Sequence, residues 1–276
     1  MKQRTMKQRF KHALSRWLAR HRHQAWVRRA AGWCRQVLDG QANLDYELAS
    51  NGEAWLLRTL GGFAPALIID AGANVGDWSL AAAQHCPGAQ IHAFEIAAPT
   101  CEQLRRNTAA QPRIRVHALG LSDAAAQITL RHFAQAPALT TVTDYPHPFD
   151  SQALQAQVVR GDDFAAEQGI THINLLKVDV EGMEDQVLRG FDGLLRAGAV
   201  DLVQFEYGRV NILRRHLLAD FHAFFSERGY RLGKLYPDGV EWRPYDLADE
   251  DFRGPNYVAC REARADLWQA LSARPG

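Results

Sequence analysis

The apolar positions of this chain change their period along its length. Between Phe10 and Val37 they recur at helical spacing: Phe10, Leu14, Trp17 and Leu18 fall at i, i+4, i+7 and i+8, and Ala30, Trp33 and Val37 at i, i+3 and i+7. That spacing predicts one or two amphipathic helices. Further on, the apolar run 66–69 and the strand-like segments 90–94, 114–118, 173–178 and 200–205 take over, with helical stretches at 79–84, 184–195 and 212–228. Buried strands alternating with helices predict a parallel α/β sheet. Two last strands, 230–236 and 257–261, flank residues 237–255, which are rich in Asp, Gly and Pro and read as a long loop. No repeat or linker interrupts residues 50–262. The expected organisation is a helical extension over 1–48 and a single domain over 49–276.

Composition changes this picture in one respect. With 47% hydrophobic and 23% charged residues the chain reads as globular rather than disordered or fibrous. Residues 1–40, however, hold 11 Lys or Arg against one acid, Asp39, while the remainder carries 21 basic and 30 acidic residues. The head is basic and the body acidic. A basic amphipathic helix either packs its apolar stripe on the domain, or makes peripheral contact with an anionic membrane surface through residues 10–37, or forms a homodimer surface. No nucleic-acid-binding module is recognisable, and no nucleic-acid partner is expected. Cys34, Cys86, Cys101 and Cys260 form no CxxC pair, so neither a zinc site nor a redox motif is suggested. There is no apolar stretch near the roughly 18 residues of a membrane span and no secretory h-region. The expected location is the cytoplasm, with the inner face of the membrane as the peripheral alternative.

The chemistry begins after the first predicted strand, at Asp70-Ala71-Gly72-Ala73-Asn74-Val75-Gly76-Asp77-Trp78. Glycines at 72 and 76 allow a tight turn and close approach of backbone to ligand. The second strand ends in Glu95, near the spacing at which an acid meets ribose hydroxyls in βαβ units. Dinucleotide sites use GxGxxG to seat a pyrophosphate, whereas here Asp70 opens a DxGxNxG pattern. A carboxylate there suits a cationic sulfonium or ammonium and repels a pyrophosphate, so S-adenosylmethionine is preferred to NAD as cofactor.

These segments, with Ala93-Phe94-Glu95 and above all Leu176-Lys177-Val178-Asp179-Val180-Glu181-Gly182-Met183-Glu184, resemble the FkbM-type family of methyltransferases over roughly residues 50–260. The resemblance implies a Rossmann-like class I methyltransferase fold, a mostly parallel seven-stranded sheet with a reversed C-terminal hairpin. It also implies O-methylation of a small molecule, sugar or glycolipid acceptor. The cofactor set it implies is Glu53, Asp70, Gly72, Asn74, Gly76, Trp78, Glu95, Ile96, Ser122, Asp123 and Asp179. Ile96 stands where the family often has proline and keeps an apolar wall for adenine. Asp123 and the Ser122 amide, in a turn at 119–123, are the adenine-edge candidates. Asp162 is a further family-like acid.

Methyl transfer to an alcohol needs a group that aligns the hydroxyl and takes its proton. Asp179 is the first candidate, Glu206 the second, and Glu181 accompanies them; His132 and His147 are runners-up in a segment read as an acceptor-binding loop. Trp242 and Tyr245 offer a stacking surface for a sugar ring. The clustered acids are also compatible with Mg²⁺, but no octahedral ligand set is fixed and no metal is expected. An NAD-dependent sugar oxidoreductase and a non-catalytic cofactor-binding scaffold are the competing readings.

Overall fold

The structure, a computed structural model, describes residues 5–133, 135, 140 and 150–273. Two compact units divide between Leu44 and Asp45. The first consists of α1 (Met6–Arg20) and α2 (Ala25–Gln41). α1 starts on a capping box: Thr5 accepts from the Gln8 amide while the Gln8 side chain accepts from the Thr5 amide. Among the described residues no helix is long and apolar enough to cross a membrane.

The second unit opens with α3 (Glu53–Gly61), β1 (Leu67–Ala71), α4 (Asp77–His85), β2 (Gln90–Phe94), α5 (Ala98–Thr108) and β3 (Ile114–His117). Then come β4 (Gly120–Ser122), β5 (Ala126–His132), β6 (Gln152–Arg160), α6 (Gly161–Glu167) and β7 (Ile173–Val178). α7 (Glu184–Gly190), α8 (Asp192–Arg196), β8 (Val200–Glu206), α9 (Val210–Arg214) and α10 (Leu218–Ser226) follow. The chain ends with β9 (Tyr230–Tyr236), β10 (Gly239–Trp242), β11 (Asn256–Arg261) and α11 (Ala265–Ala270).

The central sheet runs β10-β9-β11-β8-β7-β1-β2-β3. The strands from β3 to β8 are parallel to their neighbours, and β11 is inserted antiparallel between β8 and β9. This is the α/β class I arrangement, with one correction: the sheet has eight strands, not seven. The extra strand, β10, pairs back on β9 from within the segment read as loop. Its four residues, Gly-Val-Glu-Trp, carry no apolar run to announce it. A second correction concerns 119–123. Gly120–Ser122 is a strand rather than a turn, and with β5 and β6 it makes a separate three-stranded sheet.

Both faces of the central sheet are covered, which is why apolar residues predominate on both sides of its inner strands. Successive residues alternate between two cores. Ile69, Leu176, Val203 and Phe205 face one, with Phe164, Val187, Leu195 and Phe221 from α6, α7, α8 and α10. Ile68, Leu175, Leu202 and Val258 face the other, with Leu56, Ala82, Leu104 and Leu267 from α3, α4, α5 and α11. Removing one such side chain, as in Leu176→Ala, costs about 2–5 kcal/mol in lost transfer energy and cavity. The two long expected helices are each broken. Phe191 ends α7 and begins α8, and Arg215 at φ 54° ends α9 before α10 starts.

Candidate active site

Strand register builds the site. Ala71 is paired with Phe94 on one side and Val178 on the other, and Val178 with Phe205. The residues one step beyond this row are Gly72, Glu95, Asp179 and Glu206. Four separate segments of sequence therefore deliver their chemistry side by side at the carboxyl edge of the sheet, where open α/β sheets bind ligands. A cleft of about 880 Å³, its open mouth included, lies there. Gly72, Asn74, Glu95, Ile96, Ser122, Asp179 and Glu181 line it, with apolar walls from Phe94, Leu121, Ile128, Leu130, Val158 and Met183.

The glycine turn fits tightly. Gly72 has φ +83°, and a Cβ there would lie 1.7 Å from the Asp179 carbonyl oxygen. Asn74 also adopts a left-handed conformation, at φ 47°, and its Oδ1 is buried without a hydrogen-bond partner among the described residues. Gly76, at φ +101°, begins α4. Glu95 fastens this turn to β2. One of its carboxylate oxygens accepts from the Asn74 amide at 3.0 Å and the other from the Ala97 amide at 2.8 Å. Burial pushes its carboxyl above the usual range, against those bonds.

Asp179, Glu181 and Glu206 bring one carboxylate oxygen each to within 4.8 Å of the others. Burial, with the neighbouring carboxylates adding to it, holds Glu181 and Glu206 well above the ordinary carboxylate range. The strand ends at Val178, so Glu181 reaches the cleft not by alternation but through a left-handed turn, φ 53° at Glu181 and 101° at Gly182. Glu184 braces that turn. Its buried carboxylate accepts from the Val180 amide at 3.1 Å and the Gly182 amide at 3.0 Å. Burial pushes it up to about 7 against those amide bonds.

Lys177 is the functional residue that sequence reasoning passed over. Its ammonium is buried and lies 3.2 Å from Asp70 Oδ1, 3.2 Å from Asp179 Oδ2 and 3.1 Å from the Gly72 carbonyl. Burial opposes its charge, but Asp179, Asp70 and Glu53 outweigh it and raise its pKa. The available signal was a lysine inside an otherwise apolar strand, two residues before the acid.

Several predicted site residues have other positions. Asp70 is fully buried, receives the Ser79 hydroxyl at 2.6 Å and is matched by Lys177, so it does not line the cleft as a free carboxylate. Glu53 is buried as well, accepting from Asn51 and Gln204. Trp78 belongs to the hydrophobic core, with Lys177 5.7 Å from its ring. Gly76 abuts Leu104. Asp123 pairs with Arg189 at 3.3 Å instead of lining the cleft, while Ser122 does line it. Asp162 receives the Gly193 and Leu194 amides at the start of α8 and is no part of the carboxylate cluster. His132 is buried at the end of β5, its Nδ1 3.1 Å from Thr140 Oγ1, a residue of the cleft wall. His147 lies outside the described residues. Trp242 donates to the Trp268 carbonyl and Tyr245 to Glu250, so both serve local packing away from the cleft lining.

This chain is similar in sequence to known methyltransferases. "Methyltransferase 1" of Beauveria bassiana is 33% identical over 144 residues, 45% of this chain and 58% of that protein. The 31-O-demethyl-FK506 methyltransferase FkbM of Streptomyces tacrolimicus is 30% identical over 155 residues, 46% of this chain and 59% of that protein. The matched part thus spans under two thirds of either relative. The crystal structure of methyltransferase FkbM from Methylobacillus flagellatus KT superposes with a TM-score of 0.45 at 15% identity, over 71% of this chain and 44% of that one. Residues 70–232, which run from the buried Asp70 through the cleft and the carboxylate cluster into β9, match the methyltransferase FkbM domain, and the chain belongs to that family.

Proposed function

We propose that this chain moves a methyl group from S-adenosylmethionine to a hydroxyl of a small molecule, sugar or glycolipid. The observation that carries the reading is a single cleft whose lining combines Glu95, apolar walls and two acids of the Asp179–Glu181–Glu206 cluster. The donor set fits the cofactor. Each Glu95 oxygen is bonded by one amide and keeps a lone pair for a ribose hydroxyl. Ile96, Leu121 and Val158 offer apolar surface to an adenine ring, and Asn74 Oδ1 is a buried acceptor in want of a donor. The cofactor, when bound, supplies an electrophilic methyl group on a cationic sulfur, a charge that nearby carboxylates favour.

The chain's own part is to align the acceptor and take its proton. Asp179 is the cluster's half-exposed acid, at 41% of its side chain, and faces the cleft. An alcohol is a much weaker acid than a carboxylic acid, so its proton leaves as the new C–O bond forms. Burial and mutual repulsion make Glu181 and Glu206 better proton acceptors than solvated carboxylates would be. The transferred proton belongs to the cluster as a whole. The Streptomyces tacrolimicus relative, a 31-O-demethyl-FK506 methyltransferase, supports a hydroxyl acceptor. Four free thiols support a reducing, cytoplasmic setting.

Isothermal titration with S-adenosylhomocysteine, and separately with NAD⁺, tests the reading. Micromolar binding of the first alone, lost in Glu95→Ala, is the expected result. Binding of NAD⁺ instead would put the oxidoreductase in its place, and binding of neither would favour a non-catalytic scaffold.

A further inference from the structure

The first unit carries a surface that the cleft does not use. α1 contains no buried residue, and Met6, Phe10, Leu14 and Trp17 are exposed, Phe10 by 69%. At about 100° per residue these four and Leu18 share an arc of roughly 120°. Lys11 borders that arc on one side, Lys7 falls within it between Leu14 and Leu18, and Arg9, Arg16 and Arg20 border it on the other. Gln8, Ser15 and Ala19 lie opposite. α2 repeats the design: Trp26, Trp33 and Val37 fall within roughly 40° of one another, and Trp33 is 71% exposed. The Trp17 and Trp26 ring centroids are 5.4 Å apart, which joins the two apolar faces into one patch.

We propose that this patch docks on the surface of a membrane containing anionic phospholipids. Charge complementarity selects that occupant. α1 carries five Lys or Arg and no acid, and α2 three Arg and one Asp. An anionic bilayer surface is layered as these helices are. Tryptophan and phenylalanine settle at the boundary of acyl chains and headgroups, while bordering lysines and arginines extend their stems to the phosphates. A nucleic-acid duplex would take the cations and leave the apolar arc wet. A second copy of the chain would cover the arc but set its cationic borders against one another. The inference rests on the first unit alone and stands whether or not the methyltransferase reading does.

The test is sedimentation of the full-length protein with vesicles of phosphatidylcholine alone and of phosphatidylcholine mixed with phosphatidylglycerol. Binding at least about tenfold tighter to the mixed vesicles, weakened by high salt, is expected, because surface attraction is screened within a Debye length. Phe10→Ser/Trp17→Ser and Lys7→Glu/Lys11→Glu should each release the protein; all four side chains are exposed, and circular dichroism and melting check that the variants fold. The salt titration of the unaltered protein is decisive even if a variant fails to fold. Absence of vesicle binding, equal binding to both lipids, or preferential capture by an oligonucleotide duplex that displaces the vesicles would overturn the proposal. A homodimer that does not bind vesicles and dissociates on Phe10→Ser/Trp17→Ser would overturn it as well.

Discussion

The Lys177 ammonium lies 3.2 Å from Asp179, the acid that opens onto the cleft. The two are separated by one residue at the end of β7, so strand alternation points both the same way. Across the sheet Lys177 is also in register with Asp70, whose buried carboxylate it meets at 3.2 Å. One buried cation thus ties the end of β1 to the reacting edge of the site.

Removing that cation leaves Asp70 as an uncompensated buried charge. Lys177→Met should lower unfolding free energy by about 3 kcal/mol or more, measured by urea denaturation, because breaking a buried pair strands its partner. Lys177→Arg, which keeps the charge but not the fit, should lose less.

Gly72→Ala should be nearly as damaging for a different reason. The new Cβ would collide with the Asp179 carbonyl oxygen, and the φ of +83° is itself unfavourable for alanine. A loss of about 3 kcal/mol, together with loss of S-adenosylhomocysteine binding, is expected. Unchanged binding would show that the turn relaxes freely.

Glu184 makes stability depend on pH. Its folded-state pKa of about 7 exceeds the ordinary 4.5, so between those values the folded chain binds more protons than the unfolded one. That contribution is favourable at low pH and is lost as pH rises toward 7. Glu184→Gln, which retains an acceptor for the Val180 and Gly182 amides, should flatten the dependence of unfolding free energy between pH 5 and 8 by up to about 3 kcal/mol. Parallel curves for the two proteins would contradict this.

Methyl transfer should itself rise with pH. Glu181 and Glu206 are both held above the usual range by burial and by neighbouring carboxylates, so the proton acceptor is generated only after the cluster loses a proton. The rate should climb at a higher pH than a solvated carboxylate would give. Glu206→Gln removes one repelling charge and should move that rise to lower pH, as well as reducing the maximal rate by about 10²-fold or more.

The same three carboxylates stand within reach of one divalent ion. Lys177 already supplies a fixed positive charge at Asp179, and burial with mutual repulsion favours the protonated forms of Glu181 and Glu206. Turnover should therefore survive EDTA. Its abolition by EDTA and recovery with Mg²⁺ would make the cluster a metal centre.

Much of the site was legible because its glycine and acid positions follow segments rich in apolar residues. Glu95 and Asp179 could be placed at a ligand edge from the ends of 90–94 and 173–178 alone. Side-chain direction was not legible. Asp70 and Asp123 sit in motifs as characteristic as that of Glu95, yet the first is turned into the interior toward Lys177 and the second outward toward Arg189. The breaks at Phe191 and Arg215 were hidden for a similar reason: helical periodicity on either side says nothing of a change in axis.

The sequence by itself determined the α/β class, the order of the parallel strands of the central sheet along the chain, the glycine turn and the basic apolar-striped head, since each is written in local period, composition or spacing. Only the tertiary structure decided which acids meet. Glu206 reaches Asp179 because β8 pairs with β7 in a register that places Phe205 beside Val178. Glu184 turns inward to brace a left-handed loop, and Lys177 is buried between two carboxylates. These are long-range pairings, fixed by the packing of the whole sheet, and no local stretch of residues carries them.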